Sequence, residues 1–198
     1  MSKILKKGTL FVISGPSGVG KSTLLNDCLK DLDGFVKSIS VTTRPRRKNE
    51  ELNQNYFFVS EKEFKDLIKE GQLLEWTNYC GYYYGTPKKF VEEKLNEGKN
   101  VVLEIDVKGA MEIKKNMKDA YLIFVTTSNF SQIKSRLKSR GTEREDDIDK
   151  RLKAAREELK YEKYYDCIII NNNYNEALKN LKYVLTSKVG GINKDEYS

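Results

Sequence analysis

The stretch Gly15-Pro16-Ser17-Gly18-Val19-Gly20-Lys21-Ser22-Thr23 constrains this chain more than any other. It fits G-x-x-x-x-G-K-[ST], the pattern of a loop that cradles phosphates. Its surroundings are the ones the pattern needs. Before it, Thr9-Leu10-Phe11-Val12-Ile13-Ser14 is apolar and β-branched and predicts a buried strand. After it, Leu24, Leu25, Cys28, Leu29 and Leu32 recur at helical spacing and predict one apolar face over 21–32. Glycines let the backbone turn tightly and aim its N–H groups inward, and the helix N-terminus adds partial positive charge. A plain glycine-rich turn explains the bend but not the Lys-Ser pair. Gly15, Ser17, Gly18, Gly20, Lys21, Ser22 and Thr23 are therefore the expected triphosphate contacts. Lys21 would reach the β/γ-phosphates and the Ser22 hydroxyl would ligate Mg²⁺. The motif implies a nucleoside triphosphate and leaves open where its terminal phosphate goes.

The chain has 198 residues, the size of one domain with a substantial core. No apolar run approaches the length of a membrane span. Lys3 to Ser14 has the outline of a leader, but its apolar run is too short and leads straight into the phosphate loop, so the reading is cytoplasmic. The net charge of +7 fits either a nucleic-acid surface or a site for small polyanions. Cys28, Cys80 and Cys167 are far apart and suggest neither a zinc site nor a disulfide framework. The chain has no histidine, which excludes Ser-His-Asp and Cys-His catalysis. Phosphoryl transfer survives that exclusion, because it depends mostly on positioning and charge stabilisation.

Apolar strands are expected near 9, 101, 121 and 167, alternating with helices, which predicts an α/β parallel sheet. The segment from about 38 to 95 differs. It has short strand candidates, many aromatics and the cluster Arg44-Pro45-Arg46-Arg47-Lys48, and it reads as an insertion. Within it, Ser60-Glu61-Lys62-Glu63 fits a capping box, a turn is expected near Gly81, and Thr86-Pro87 reads as a helix start.

Three constellations could carry chemistry. Glu104 and Asp106 end a buried strand, where α/β sheets bind ligands, and two-residue spacing on a strand would face them the same way. A carboxylate there typically serves Mg²⁺, and Asp106 is the expected one. Arg44 and Arg47 could clamp a phosphate by paired hydrogen bonds, or belong to a solvated basic loop. Lys134, Arg136, Lys138, Arg140, Arg144 and Arg151 lie on two helices around a Gly141-Thr142 break. They form either a charged surface or a lid that delivers arginines to a phosphoryl group.

Together these segments resemble the guanylate kinase family, which moves a phosphate from ATP to GMP. The carriers are the phosphate loop, Ser40-x-Thr42-Thr43-Arg44-x-x-Arg47, Tyr56-Phe57-Phe58-Val59-Ser60, Leu74-Glu75, Gly81 with Tyr83-Tyr84-Gly85-Thr86, Leu103-Glu104-Ile105-Asp106, Arg136-Leu137 with Arg140-Gly141-Thr142-Glu143, and Lys150-Arg151-Leu152. The resemblance spans about residues 8 to 185. It implies a P-loop NTPase fold with a parallel-sheet core (about 1–37, 96–128 and 159–198), a mixed α/β GMP-binding insertion (about 38–95) and a helical lid (about 129–158). It implies ATP as donor, Mg²⁺, and GMP as acceptor, with dGMP left open, and neither nucleic acid nor membrane as partner. Residue by residue, it implies that Arg44, Arg47, Tyr56 and Tyr84 hold the GMP phosphate. Ser40, Glu75, Thr86 and Glu104 read the guanine. Lys21, Arg136 and Arg151 stabilise the phosphoryl group in flight, Arg140 and Asn171 lie against adenine, and Ser22 and Asp106 serve Mg²⁺.

Base chemistry supports the guanine assignment independently. The Watson–Crick edge of guanine presents two adjacent donors, which one carboxylate such as Glu75 can accept together. Adenine presents an acceptor at N1 and would meet lone pairs. The chain departs from the family pattern at Asn49-Glu50-Glu51-Leu52-Asn53, at Lys108, and in having Glu104 where many relatives have Asp. Three other readings stay open on sequence: a peptide-binding module that keeps the fold, a kinase for another phosphate ester, and a nucleic-acid binder.

Overall fold

Strand β1 (Leu10–Ser14) is buried along its whole length. Pleating turns Leu10 and Val12 to one apolar cluster and Phe11 and Ile13 to another. The computed structural model describes residues 6–47, 50–51, 56–139 and 145–189, with backbone only for 138–139 and 145–148. After β1 come α1 (Lys21–Leu29), β2 (Phe35–Lys37), β3 (Ser40–Thr42), β4 (Tyr56–Phe58), α2 (Glu61–Lys69), β5 (Leu73–Tyr79), β6 (Tyr82–Pro87) and α3 (Lys88–Asn96). Then follow β7 (Asn100–Glu104), α4 (Val107–Asn116), β8 (Tyr121–Thr126), α5 (Phe130–Ser139), α6 (Glu145–Leu159), β9 (Cys167–Ile170) and α7 (Tyr174–Lys188).

Two sheets organise these elements. The first is parallel, in the order β2-β7-β1-β8-β9. It carries both apolar clusters, one under α1, α5, α6 and α7 and the other under α3 and α4. Strand order reverses at β1, so its C-terminal end opens at the point where such sheets leave a crevice. The second sheet, β4-β3-β6-β5, is mixed and lies in the chain between β2 and β7, where an insertion is expected. No helix among the described residues is long and apolar enough to cross a membrane.

Local chemistry sets the insertion's elements. Ser60 accepts from the Glu63 backbone N–H while the Glu63 carboxylate accepts from Ser60, which starts α2 as its capping box predicts. Cys80 and Gly81 both have positive φ, 51° and 87°, and close the β5–β6 hairpin in two residues. Two details sharpen the sequence reading. The helix expected at Thr86-Pro87 is α3, which starts at Lys88 with Pro87 as its cap, and β6 runs right up to that cap. The β-rich run Phe35 to Thr43 divides, giving the parallel sheet a fifth strand, β2, and the second sheet β3.

The phosphate loop sits tightly against β8. Gly15 has φ +137°, and a Cβ there would overlap the Val125 carbonyl. Gly15→Ala should therefore cost about 2 kcal/mol or more, through strain and overlap together. A thermal melt should fall by about 4 °C or more. A melting temperature unchanged within about 1 °C would show that the loop is not held there.

Candidate active site

The loop Gly15–Gly20 wraps the N-terminus of α1, with Gly18 and Gly20 in the left-handed region at φ 88° and 89°. Gly15, Ser17, Lys21 and Ser22 line a cleft between the two sheets. Lys21 folds back over the loop, its Nζ donating to the carbonyls of Gly15 and Pro16 at 2.5 and 2.9 Å. Gly18, Gly20 and Thr23 line a second hollow on the other side of the loop, with Arg136, Asn171 and Tyr174.

Register places the first acid. Ile13 of β1 pairs with Glu104, so Glu104 ends β7 beside the loop that leaves β1. One of its oxygens accepts from Ser22 Oγ at 2.5 Å and the other from Lys37 Nζ at 2.8 Å. Burial pushes this carboxyl up, but Lys37 and the Ser22 hydroxyl outweigh it and hold it below the usual range. Asp106 lines the same cleft, two residues further on. The strand has ended, and Asp106 caps α4, accepting from Gly109 N at 2.8 Å and from Thr77 Oγ1 at 2.5 Å.

Glu75 is the most buried acid of the cleft, 4 % exposed in the middle of β5. Thr86 Oγ1 donates to it at 2.6 Å across the β5–β6 ladder. Burial pushes it up to about 7, against the Thr86 hydrogen bond and with help from the negative charges of Asp106 and Glu112. Ser40 lines the same pocket. A Cβ on Gly109 would stand 2.5 Å from a Glu75 oxygen, so the α4 backbone closes the wall behind it.

At the open end, Arg44 lies 5.5 Å over the Tyr56 ring and pairs with Glu50 at 2.6 Å. Glu50 also accepts from the Arg47 backbone N–H at 2.8 Å, which gathers both arginines at one turn. Tyr56 and Tyr84 meet edge to face, 6.0 Å apart, and line the cleft with Arg44 and Arg47. Burial, with Glu104 nearby, pushes the Tyr56 hydroxyl up to about 12, so it stays a donor.

The residues expected on a lid divide. Arg151 lines the cleft. Arg136 does not: its guanidinium donates to the carbonyls of Val19 and Asn171 at 3.2 and 2.8 Å. Asn171 Nδ2 donates to Val19 O at 2.8 Å, bracing the phosphate loop from behind. Arg140 lies outside the described residues.

Sequence reasoning missed Lys37, Glu50, Thr77 and Glu158, all of which line the cleft. Thr77 had a signal, since it follows Glu75 at i+2 and shares its strand face. Glu158 had none, because its partner in the loop is 141 residues away. Among the described residues no cluster of three or more acidic or cysteine side chains is arranged to hold a metal.

Comparison with known proteins bears on this arrangement. A guanylate kinase family model matches residues 7–188. The guanylate kinase of Thermotoga maritima is 40% identical over 96% of this chain and 92% of its own. That of Malacoplasma penetrans is 43% identical over 93% of this chain and 95% of its own. The crystal structure of guanylate kinase from Anaplasma phagocytophilum superposes with a TM-score of 0.79 at 29% identity, covering 94% of this chain and 88% of that one. With a phosphate loop, a buried acid and paired arginines around one cleft, and this likeness over nearly the whole length, the chain belongs to the guanylate kinase family.

Proposed function

We infer that the protein transfers the γ-phosphate of ATP to GMP, giving ADP and GDP. The observation that carries this reading is Glu75, a buried carboxylate hydrogen-bonded by Thr86 in the same cleft as the phosphate loop. Its oxygens suit the N1–H and 2-amino donors of guanine and oppose the N1 lone pair of adenine. A site that relies on such buried pairing rejects the wrong base by roughly 10⁴-fold.

The two acids exchange their expected roles. Glu104, beside Ser22, goes to the Mg²⁺ side, and Asp106, held by Thr77 near Glu75, goes to the guanine side. The donor set fits the ion: a serine hydroxyl and a carboxylate are hard oxygens, and Mg²⁺ bound to phosphates needs only one or two protein ligands. When bound, it would neutralise charge on the triphosphate. Ser22 and Glu104 would hold it, with Lys37 as the second partner of Glu104.

The remaining roles follow from position. Arg44, Arg47, Tyr56 and Tyr84 clamp the acceptor phosphate, whose oxygen is already ionised and needs no general base. Ser40 and Thr86 complete the guanine wall. Lys21 and Arg151 face the phosphoryl group from the loop and from α6. Gly18, Gly20, Thr23 and Asn171 flank the ATP side, where we also place Arg140. Arg136 now braces the loop, and a catalytic part for it requires α5 to move on closure.

A panel of acceptors in a coupled ADP-release assay tests the function. GMP should support turnover, and AMP, UMP and CMP should give kcat/KM lower by about 10³-fold or more. Comparable turnover with AMP would refute the reading.

Reading guanine with a buried acid also has a stability cost. Glu75 titrates near 7 in the fold and at 4.5 when unperturbed. Its folded value is the higher one, so the unfolded chain gives up the proton first as pH rises. Stability from this group therefore falls between pH 4.5 and 7 and stays low above. Glu75→Gln keeps an acceptor for Thr86 and removes that charge. It should stabilise the fold by up to about 3 kcal/mol at pH 8 and by little at pH 4, while losing GMP binding. Denaturant titration at both pH values checks this, and equal gains at the two would contradict it.

A further inference from the structure

Helix α6 sends two charged side chains into the cleft, Arg151 and Glu158. They are two turns apart on one face, roughly 10 Å along the axis. Ala155 lies between them, fully buried in the cluster that holds Val19, Ile133 and Leu137. Glu158 is 6 % exposed, in the last turn of the helix. One of its oxygens accepts from the Ser17 backbone N–H of the phosphate loop at 3.3 Å. The charged and titratable groups around it include Lys21 on the loop, Asp106 at the head of α4, Tyr79 on β5 and Tyr165 before β9. The Tyr79 hydroxyl is buried beside Glu158, whose carboxyl it helps hold down, and lies within electrostatic reach of both α6 charges.

A buried carboxylate is a costly way to pack a helix. Burial pushes Glu158 up to about 7, opposed by Lys21. An apolar residue would pack α6 without that penalty, so the acid must do something packing does not. What it reaches is the loop that carries Lys21.

We propose that Glu158 is a positioning residue that fastens the last turn of α6 to the phosphate loop at Ser17, so that Arg151 meets the transferring phosphoryl group in fixed register with Lys21. The proposal rests on the phosphotransfer reading above. Arg151 is rigidly spaced from Glu158 by the helix, and the loop is rigidly spaced from Lys21, so the Glu158–Ser17 bond closes the frame. A misplacement of about 1 Å in such a frame can cost 10²-fold in rate. GMP recognition stands on other elements, at Glu75, Arg44 and Arg47, so its binding is spared.

The test compares reach with charge. Glu158→Asp keeps the charge but falls short by one methylene, and Glu158→Gln keeps the reach and an acceptor oxygen. Each is made in the parent and in Arg151→Ala, alongside Glu158→Ala, with thermal melts to verify folding. In the parent, Asp and Ala should lower kcat about 10- to 100-fold with KM for GMP within about twofold, and Gln should recover kcat to within about threefold. In Arg151→Ala, Glu158→Asp should cost less than about threefold, because the group being aimed is gone. Equal losses in both backgrounds, a KM for GMP that rises with the loss, or Gln no better than Asp would overturn the proposal. If Glu158→Ala fails to fold, the Asp and Gln pair decides. If the parent makes no GDP, the functional reading fails on its own. Hydrogen exchange then judges the anchor: Glu158→Asp should speed exchange in 15–21 and 149–159, Gln should not, and unchanged exchange in Asp overturns it.

Discussion

The parallel register of β1 against β7 and β8 is the constraint on which the rest of this molecule depends. Ile13 opposite Glu104 and Ser14 opposite Phe124 fix where the chain leaves the sheet to form the phosphate loop. A slip of one residue would turn Phe11 and Ile13 into the wrong cluster and point Glu104 away from Ser22. The apolar clusters on both faces forbid that slip. The burial that stabilises the sheet is thus also what places an acid beside the loop.

Around that fixed point, one half-buried and two buried carboxylates meet different fates. Glu104 has a lysine and a hydroxyl and stays ionised. Glu75 and Glu158 have weaker compensation and are both raised to about 7. The fold therefore carries acids that oppose its own stability, each aimed at a partner supplied from elsewhere. For Glu75 that partner is the donor edge of a base. For Glu158 it is the backbone of the phosphate loop. Evolution tolerates such groups where chemistry needs them, and both lie in one cleft.

What was legible in the sequence was local. The phosphate loop, the Ser60 capping box and the hairpin turn at Gly81 are each specified by residues within a few positions of one another. The Arg44–Arg47 cluster was legible from its own charge, and family resemblance added Glu75 as the proposed reader of guanine. The Glu104–Asp106 pair does face one cleft, but β7 ends at Glu104, so the two acids meet different partners there. Asp106 instead caps a helix, and Asp at the head of an apolar-periodic run was the signal for it. Long-range partnerships such as Ser22 with Glu104 and Ser17 with Glu158, 82 and 141 residues apart, leave no trace in local pattern. Glu50 was hidden by a polar stretch that reads as loop, although it gathers both arginines.

The central claim is that one buried carboxylate on β5 chooses the acceptor while a separate loop binds the donor. The most direct measurement is the pair of Michaelis constants, for GMP and for ATP, in Glu75→Ala. The constant for GMP should rise about 100-fold or more, with that for ATP unchanged within about twofold. If the two constants moved together, Glu75 would not be the reader of guanine.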